Sequence, residues 1–216
     1  MLMLKNIVTQ VVCGIIFLFI IVGCAPTNKP VVTHTNKETP IPKETAPSAF
    51  AHYDTYRPEV GMKKHFVNGP DLLYTYDVVA EDSDYVQIII TLNGAPTTQI
   101  YRWTADEMTL VYEQVGLADQ EGTLLEEFLE ERLDTIVSTT AHADWTIIEE
   151  QTTLQLPCAT YHDVLVVSKT TDEVVGANTI YTRYYAPGVG LVKETYEVTG
   201  ESGYKDEAVW DSCVED

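Results

Sequence analysis

From residue 51 onward apolar positions gather in short β-branched and aromatic runs, cut at regular spacing by polar turn signals. Tyr85–Leu92 is β-branched and aromatic almost throughout and ends at Asn93-Gly94. Asn-Gly is a strong short hairpin signal, because both central residues of the turn must accept positive φ. Gln99–Trp103 continues beyond it, and Met108–Tyr112 follows. Asn68-Gly69 offers a second such turn, between Lys64–Val67 and Leu72–Val78. Val164–Ser168, Thr179–Ala186 and Gly190–Thr199 complete the set. Short strands joined by tight turns predict a mainly β domain, an antiparallel sheet curled into a partly open barrel or a sandwich. One segment breaks the pattern. Thr123-Leu-Leu-Glu126 has capping-box spacing, and Leu124, Leu125, Phe128, Leu129, Leu133 and Ile136 recur near helical period. This spacing predicts a helix over 123–138, covering one opening or face of the sheet.

The N-terminus follows a different pattern. Lys5 precedes the unbroken apolar run Val11–Val22, which ends at Gly23-Cys24. A cationic start, a short apolar core and a small residue before the cut describe a secretory signal peptide, and the cysteine after them resembles a bacterial lipobox. The run holds 12 residues, whereas crossing a bilayer takes roughly 20, so a lipoprotein signal over 1–23 is favoured over an uncleaved anchor. Cys24 is then the diacylated first residue of the mature chain, and two acyl chains hold where one is marginal. Residues 24–50 read as a lipid-anchored linker. Pro26, Pro30, Pro40, Pro42 and Pro47 sit among Thr, Lys and Asn, and little apolar area is available to order them. Such a coil spans roughly 30 Å, or ~80 Å if fully proline-extended. Residues 51–216 form one β-rich domain of ordinary size. The expected location is the extracytoplasmic face of a bacterial membrane.

Charge narrows the partners. The formal net charge is −20, and the segment from Ala51 onward carries about −22 of it. Such acidity argues against nucleic acid, which needs a basic face, and against an anionic lipid surface. Of four cysteines, Cys13 belongs to the signal and Cys24 to the lipid site. Cys158 and Cys213 remain, and an oxidising compartment makes a bond between them plausible, with two free thiols as the alternative. No C-x-x-C occurs, which argues against a thioredoxin-type role.

Tyr184-Tyr-Ala-Pro-Gly-Val-Gly-Leu-Val-Lys193 resembles a motif of exported bacterial lipoproteins with a TapB-like antiparallel β-domain of unknown function. There a strand ends in Tyr-Tyr-Ala, a glycine turn follows, and Val-Gly-Leu-Val-Lys opens the last strand. Leu156–Val167 and the stretch from Tyr101-Arg-Trp103 to Tyr112 also resemble members of that family, and the similarity spans most of 56–199. The resemblance implies an exported β-domain. It departs from the family at 114–145, where members are mostly extended; Trp145 is kept, but the segment before it reads as helical here.

Candidate chemistry is sparse. The sequence has no G-x-S-x-G, H-E-x-x-H, P-loop or Rossmann glycine set. His142 with Asp144, on one face if extended, and His162 with Asp163 are the His/carboxylate pairs near in sequence. Glu81-Asp-Ser-Asp84 has oxygen ligands but not the EF-hand glycine and terminal glutamate. No catalytic residue, metal or cofactor is assigned. Thirteen tyrosines and three tryptophans are more informative. Tyr101 and Trp103 alternate on one strand, and Tyr181, Arg183 and Tyr185 on another, so one sheet face can line a cavity for an apolar ligand or a partner protein; the alternative is that these aromatics simply fill a half-exposed sheet. The expected function is a non-enzymatic, lipid-anchored binding lipoprotein. The alternatives are a purely structural or assembly role in the envelope and, further off, a hydrolase.

Overall fold

The computed structural model describes residues 52–200 and 203–213; the expected signal segment over 1–23, Cys24 and the expected linker over 24–50 lie outside the described residues. Eleven strands form one antiparallel sheet. They are β1 (Lys63–Asn68), β2 (Asp71–Glu81), β3 (Tyr85–Leu92), β4 (Ala95–Trp103), β5 (Glu107–Val115), β6 (Asp134–Ser138), β7 (Thr146–Gln155), β8 (Thr160–Thr171), β9 (Thr179–Ala186), β10 (Gly190–Val198) and β11 (Tyr204–Trp210). The spatial order is β6-β5-β4-β3-β2-β1-β11-β10-β9-β8-β7. Each neighbour follows in sequence except where the first and last strands pair, Phe66 opposite Trp210 and Val67 opposite Val209. The sheet is nearly closed into a barrel, with its seam in the middle of the chain, between β6 and β7.

Parity explains the seam. An odd number of alternating strands cannot close with antiparallel pairs throughout, so β6 and β7 run in the same direction. The antiparallel ladder has no place for that step. Residues 139–145 carry the chain back along β6 instead: Asp144 N–H donates to Thr135 O at 2.8 Å, and Thr135 N–H donates to the Asp144 carboxylate at 2.7 Å. The alternation of the strands also sorts the turns by end. The β1–β2, β3–β4, β8–β9 and β10–β11 turns share one end; the β2–β3, β4–β5, β7–β8 and β9–β10 turns share the other. At the Asn93-Gly94 turn both residues have positive φ, 51° and 78°, as a two-residue hairpin requires.

The second end is plugged. A 3-10 turn at Tyr53–Tyr56 inserts the fully buried ring of Tyr53. Its backbone is held by Tyr53 N–H to Ala105 O at 3.0 Å, and its carbonyl accepts the Trp103 indole N–H at 2.9 Å. The Arg57 guanidinium donates to the carbonyls of Ser83, Trp103, Asp82 and Tyr85, tying the plug to two strand turns. Gly190 lies against Pro58: a Cβ there would sit 3.2 Å from the proline ring, and its φ of 73° also disfavours a side chain. Above the plug the barrel is filled by Phe66, Tyr76, Ile88, Tyr101, Trp103, Met108, Ile136, Leu165 and Tyr185.

Lys64 is the anomaly of this core. Its side chain is buried, donates to the carbonyls of Val189 and Leu191, and lies 5.0 Å from the ring centres of both Tyr76 and Trp210. Burial disfavours the ammonium and lowers its pKa to about 7. The unfolded chain binds that proton up to the ordinary lysine value, so it holds more protons than the folded chain above pH 7. Stability attributable to Lys64 therefore rises as pH climbs from 7 toward 10. Burial raises the Tyr76 and Tyr185 phenols, Tyr185 to about 12, which reverses the sign above pH 10. Urea denaturation from pH 7 to 10 is expected to show rising stability in the native chain and a flatter profile in Lys64→Met; parallel profiles would refute the assignment.

The helix expected over 123–138 does not form. A single turn, Leu124–Glu127, is followed by extended chain from Phe128, whose ψ is 150°, and then by β6. Three causes are visible. Thr123 does not cap the turn; its hydroxyl donates to Asp119, which also accepts the Leu124 N–H. A continued helix would stack Glu126 on Glu130 and Glu127 on Glu131, two like-charge pairs at four-residue spacing. Thr135-Ile136-Val137 is β-branched and finds an open edge on β5. The apolar residues that looked helical divide between two faces: Ile136 enters the barrel, while Phe128 packs edge-on against Tyr85 and Tyr112 outside it. Residues 116–133 thus strap the outer face of β3–β5. Glu107, buried beneath the strap, accepts hydrogen bonds from Arg102, Arg132 and Thr109, which together outweigh the burial that would raise its pKa and leave it lowered.

The β7–β8 hairpin bends back over the outside of the barrel. Its ladder shifts register three times, and Gln151 and Asp163, near one another across the hairpin, both take positive φ. Beyond that bend Leu154, Leu156 and Tyr161 cover Val164, Val166, Ala186, Val192 and Val209, a second small core outside the sheet. Cys158 at the tip is disulfide-bonded to Cys213 after β11, with Cα atoms 5.3 Å apart.

Candidate functional site: the open end of the barrel

Among the described residues no inserted turn matches the plug at the opposite end, and the strand faces dictate what lines its inner wall. On β9 the inward positions are Tyr181, Arg183 and Tyr185. The β9–β10 register sets Arg183 opposite Glu194 and Tyr181 opposite Tyr196. The β10–β11 register sets Val198 opposite Tyr204. The rings of Tyr181, Tyr196 and Tyr204 form a ladder rising to the mouth, with centres 5.2 and 5.6 Å apart. Leu92 faces the same space from β3, opposite Tyr74 on β2.

A layer of ion pairs forms the floor. Arg183 Nε lies 3.4 Å from Glu194, and Tyr74 O–H donates to the other oxygen of that carboxylate at 2.7 Å. The Arg183 guanidinium stacks 4.6 Å from the Trp145 ring centre. Lys169 pairs with Asp134 at 2.9 Å, and Asp134 also accepts the Trp145 indole N–H at 2.9 Å. These contacts join β8 and β6 across the seam, so the network also closes the barrel where no backbone ladder can. Burial alone would lower the Arg183 pKa; Tyr185, Glu194, Tyr101 and Asp134 outweigh it and keep the guanidinium charged. Burial and then the Glu194 carboxylate raise the Tyr74 phenol, so it stays a donor. The four charged side chains keep 20–32% of their surface exposed although all point inward. Solvent therefore reaches this layer, whereas below it Tyr185, Trp103 and Phe66 are buried.

The five residues of the sequence-predicted ligand face separate at that layer. Tyr101, Trp103 and Tyr185 come together, but as packed core, with ring centres 6.0 Å apart in each successive pair. Only Arg183 and Tyr181 border the open space. Tyr181 O–H donates to Glu173 at 2.7 Å. The members missed by sequence reasoning are Tyr74, Asp134, Trp145, Lys169, Glu194, Tyr196 and Tyr204. Glu194 and Tyr196 were legible from the alternation of β10 once its register with β9 is known. Asp134 was hidden by the helical reading of 123–138, and Trp145 lies in the return segment 139–145, outside any strand.

The other candidates resolve into structure. His142 is exposed, and Asp144 is engaged by the Thr135 backbone rather than by a histidine. His162 is exposed on the folded-back hairpin, 3.2 Å from Thr153 Oγ1. In Glu81–Asp84 the Asp82 carboxylate accepts the N–H groups of Asp84 and Tyr85, and Glu81 pairs with Arg57, a self-satisfied turn. Among the described residues no three His, Cys, Asp or Glu side chains gather to hold a metal, and no helix is long and apolar enough to cross a membrane. A cleft of about 430 Å³ lies outside the barrel beneath the hairpin tip, between Val67, Val209 and Trp210 on one side and Leu156 and Pro157 on the other, with the Lys193–Glu207 ion pair at its edge. Comparison with protein-family models, with curated proteins and with solved structures finds no match.

Proposed function

We propose that this chain is a lipid-anchored extracytoplasmic lipoprotein, tethered through Cys24, whose β-domain is a non-enzymatic binding module for a partner protein or an apolar ligand. The exported β-lipoproteins it resembles belong to the same reading. The observation that carries it is the contrast between the two ends: one is plugged and dry, while toward the other the rings of Tyr181, Tyr196 and Tyr204 line the inner face above a layer of partly exposed ion pairs. A purely structural barrel gains nothing from leaving aromatic rings around an open mouth, whereas a binding site uses rigid aromatic walls with a few oriented polar groups.

Two measurements test it. Cys24→Ala should abolish lipidation and release the chain from the membrane fraction; unchanged detergent partitioning of that variant after signal cleavage would refute the anchor. Native mass spectrometry of the 25–216 chain from an exporting host should show extra mass, or a bound protein, that denaturation releases. A bare monomer from the exporting cells would remove support for an apolar ligand and shift the reading to a structural role in the envelope.

A further inference from the structure

Exposed apolar side chains are unevenly placed on this molecule. Leu72, Leu92, Val115, Val174, Val175 and Tyr204 are each 38–101% exposed. All six lie at the end of the barrel where the β1–β2, β3–β4, β8–β9 and β10–β11 turns meet, around the mouth of the vestibule. Val175, in the β8–β9 turn, is fully exposed. At the plugged end the one exposed large apolar residue described is Val60; Leu129 and Leu133 in the strap and Ile148 on β7 are exposed singly along the side of the barrel. Single exposed apolar residues need no explanation, but a ring of them at one end, bordered by polar groups, marks an interaction surface.

The border is acidic. Asp71, Glu113, Asp172, Glu173 and Asp206 stand beside those apolar residues, and the cation described among them, Lys205, is paired with Glu197. This sign selects the occupant. A second copy docking end to end would press acid against acid. An anionic leaflet would be repelled in the same way. A protein that presents an apolar centre within a basic rim meets both parts of the surface, burying the turn residues while its cations face the carboxylates.

We infer that the open end of the barrel is the docking surface for such a basic-rimmed protein, capping the vestibule. This rests on the binding-module reading above and specifies its partner. Contact through the β8–β9 and β10–β11 turns leaves the fold untouched, so the surface can be altered without unfolding the domain.

A photo-crosslinking residue placed at Val175, at Leu92 and, as control, at Val60 of the full chain, in the cells that produce it, tests the inference. The expected result is one protein adduct from positions 175 and 92 and none from 60. That protein, purified, should bind the 25–216 chain at least tenfold more weakly at 300 mM than at 50 mM salt. The double variant Asp71→Lys/Asp172→Lys and the single variant Val175→Ser should each weaken binding by tenfold or more at low salt. Lipid-only adducts, adducts to a second copy, equal labelling at Val60, no adduct, or salt-independent binding would each overturn it. The anchor and the ligand are scored separately by fractionation and native mass, so an anchored chain without this partner is distinguishable from a failure of the whole reading.

Discussion

Replacing Trp103 by alanine is expected to cost about 3–5 kcal/mol of stability, the range for removing a large buried aromatic side chain. Trp103 is 1% exposed and sits at the end of β4, where three parts of the molecule meet. Its ring touches Tyr101 and lies edge-on to Tyr185, and its indole N–H donates to the Tyr53 carbonyl. Alanine would open a cavity at the centre of the barrel and leave that carbonyl without its donor. The loss should be visible in two ways. Urea denaturation should shift to a lower midpoint with an unchanged slope. Amide exchange should accelerate first at the Tyr53–Tyr56 turn, because Trp103 fastens the plug as well as filling the core. Trp103→Phe should restore most of the packing but not the hydrogen bond, and so should recover the midpoint more fully than the exchange protection. A Trp103→Ala chain with wild-type midpoint would show that the plug and barrel are held by other contacts.

The fold was legible where local signals agreed with tertiary context. The β-branched and aromatic runs of β3, β4, β9 and β10, joined by turn signals such as Asn93-Gly94, specify hairpins locally, and consecutive hairpins build a meander without long-range information. Reading failed where one segment serves two faces. Phe128 lies over the outer sheet, Leu129 and Leu133 are exposed, and Ile136 lies inside the barrel, so their spacing did not mark one buried helical stripe. β7 and β11 were missed for another reason. Thr146–Gln155 is mostly exposed and Tyr204–Trp210 is largely charged at its start, so neither shows the alternation of a half-buried strand. The candidate site was only half legible. The alternation of β9 placed Tyr181, Arg183 and Tyr185 on one face, but not how deep each lies. Depth is set by the plug at one end and the charged layer at mid-barrel, and both depend on residues more than 40 positions away, Arg57 from Trp103 and Tyr74 from Glu194.

The disulfide should matter as much as the largest core residue. Cys158 and Cys213 are 55 positions apart, and closing a loop of that length restricts the unfolded chain by ~4 kcal/mol in the chain-entropy model. The double variant Cys158→Ser/Cys213→Ser is expected to lose up to that amount in urea denaturation, and the native chain with added dithiothreitol to lose the same. The structure adds a local consequence. The hairpin bends at Gln151 and Asp163, both at positive φ, and three register shifts leave its ladder irregular. Its tip is then held to the outer sheet by the packing of Leu154, Leu156 and Tyr161 and by one covalent link to the tail after β11. Without the link, the tip should open below the global unfolding transition and uncover Val164, Val166 and Val192, while β1–β5 remain folded. Protease cleavage near Pro157 and amide exchange at residues 152–162 should therefore rise well before the urea midpoint in the serine variant. Equal protection of the tip in both chains would show that the apolar contacts alone hold it closed, and would assign the disulfide's effect entirely to the unfolded state.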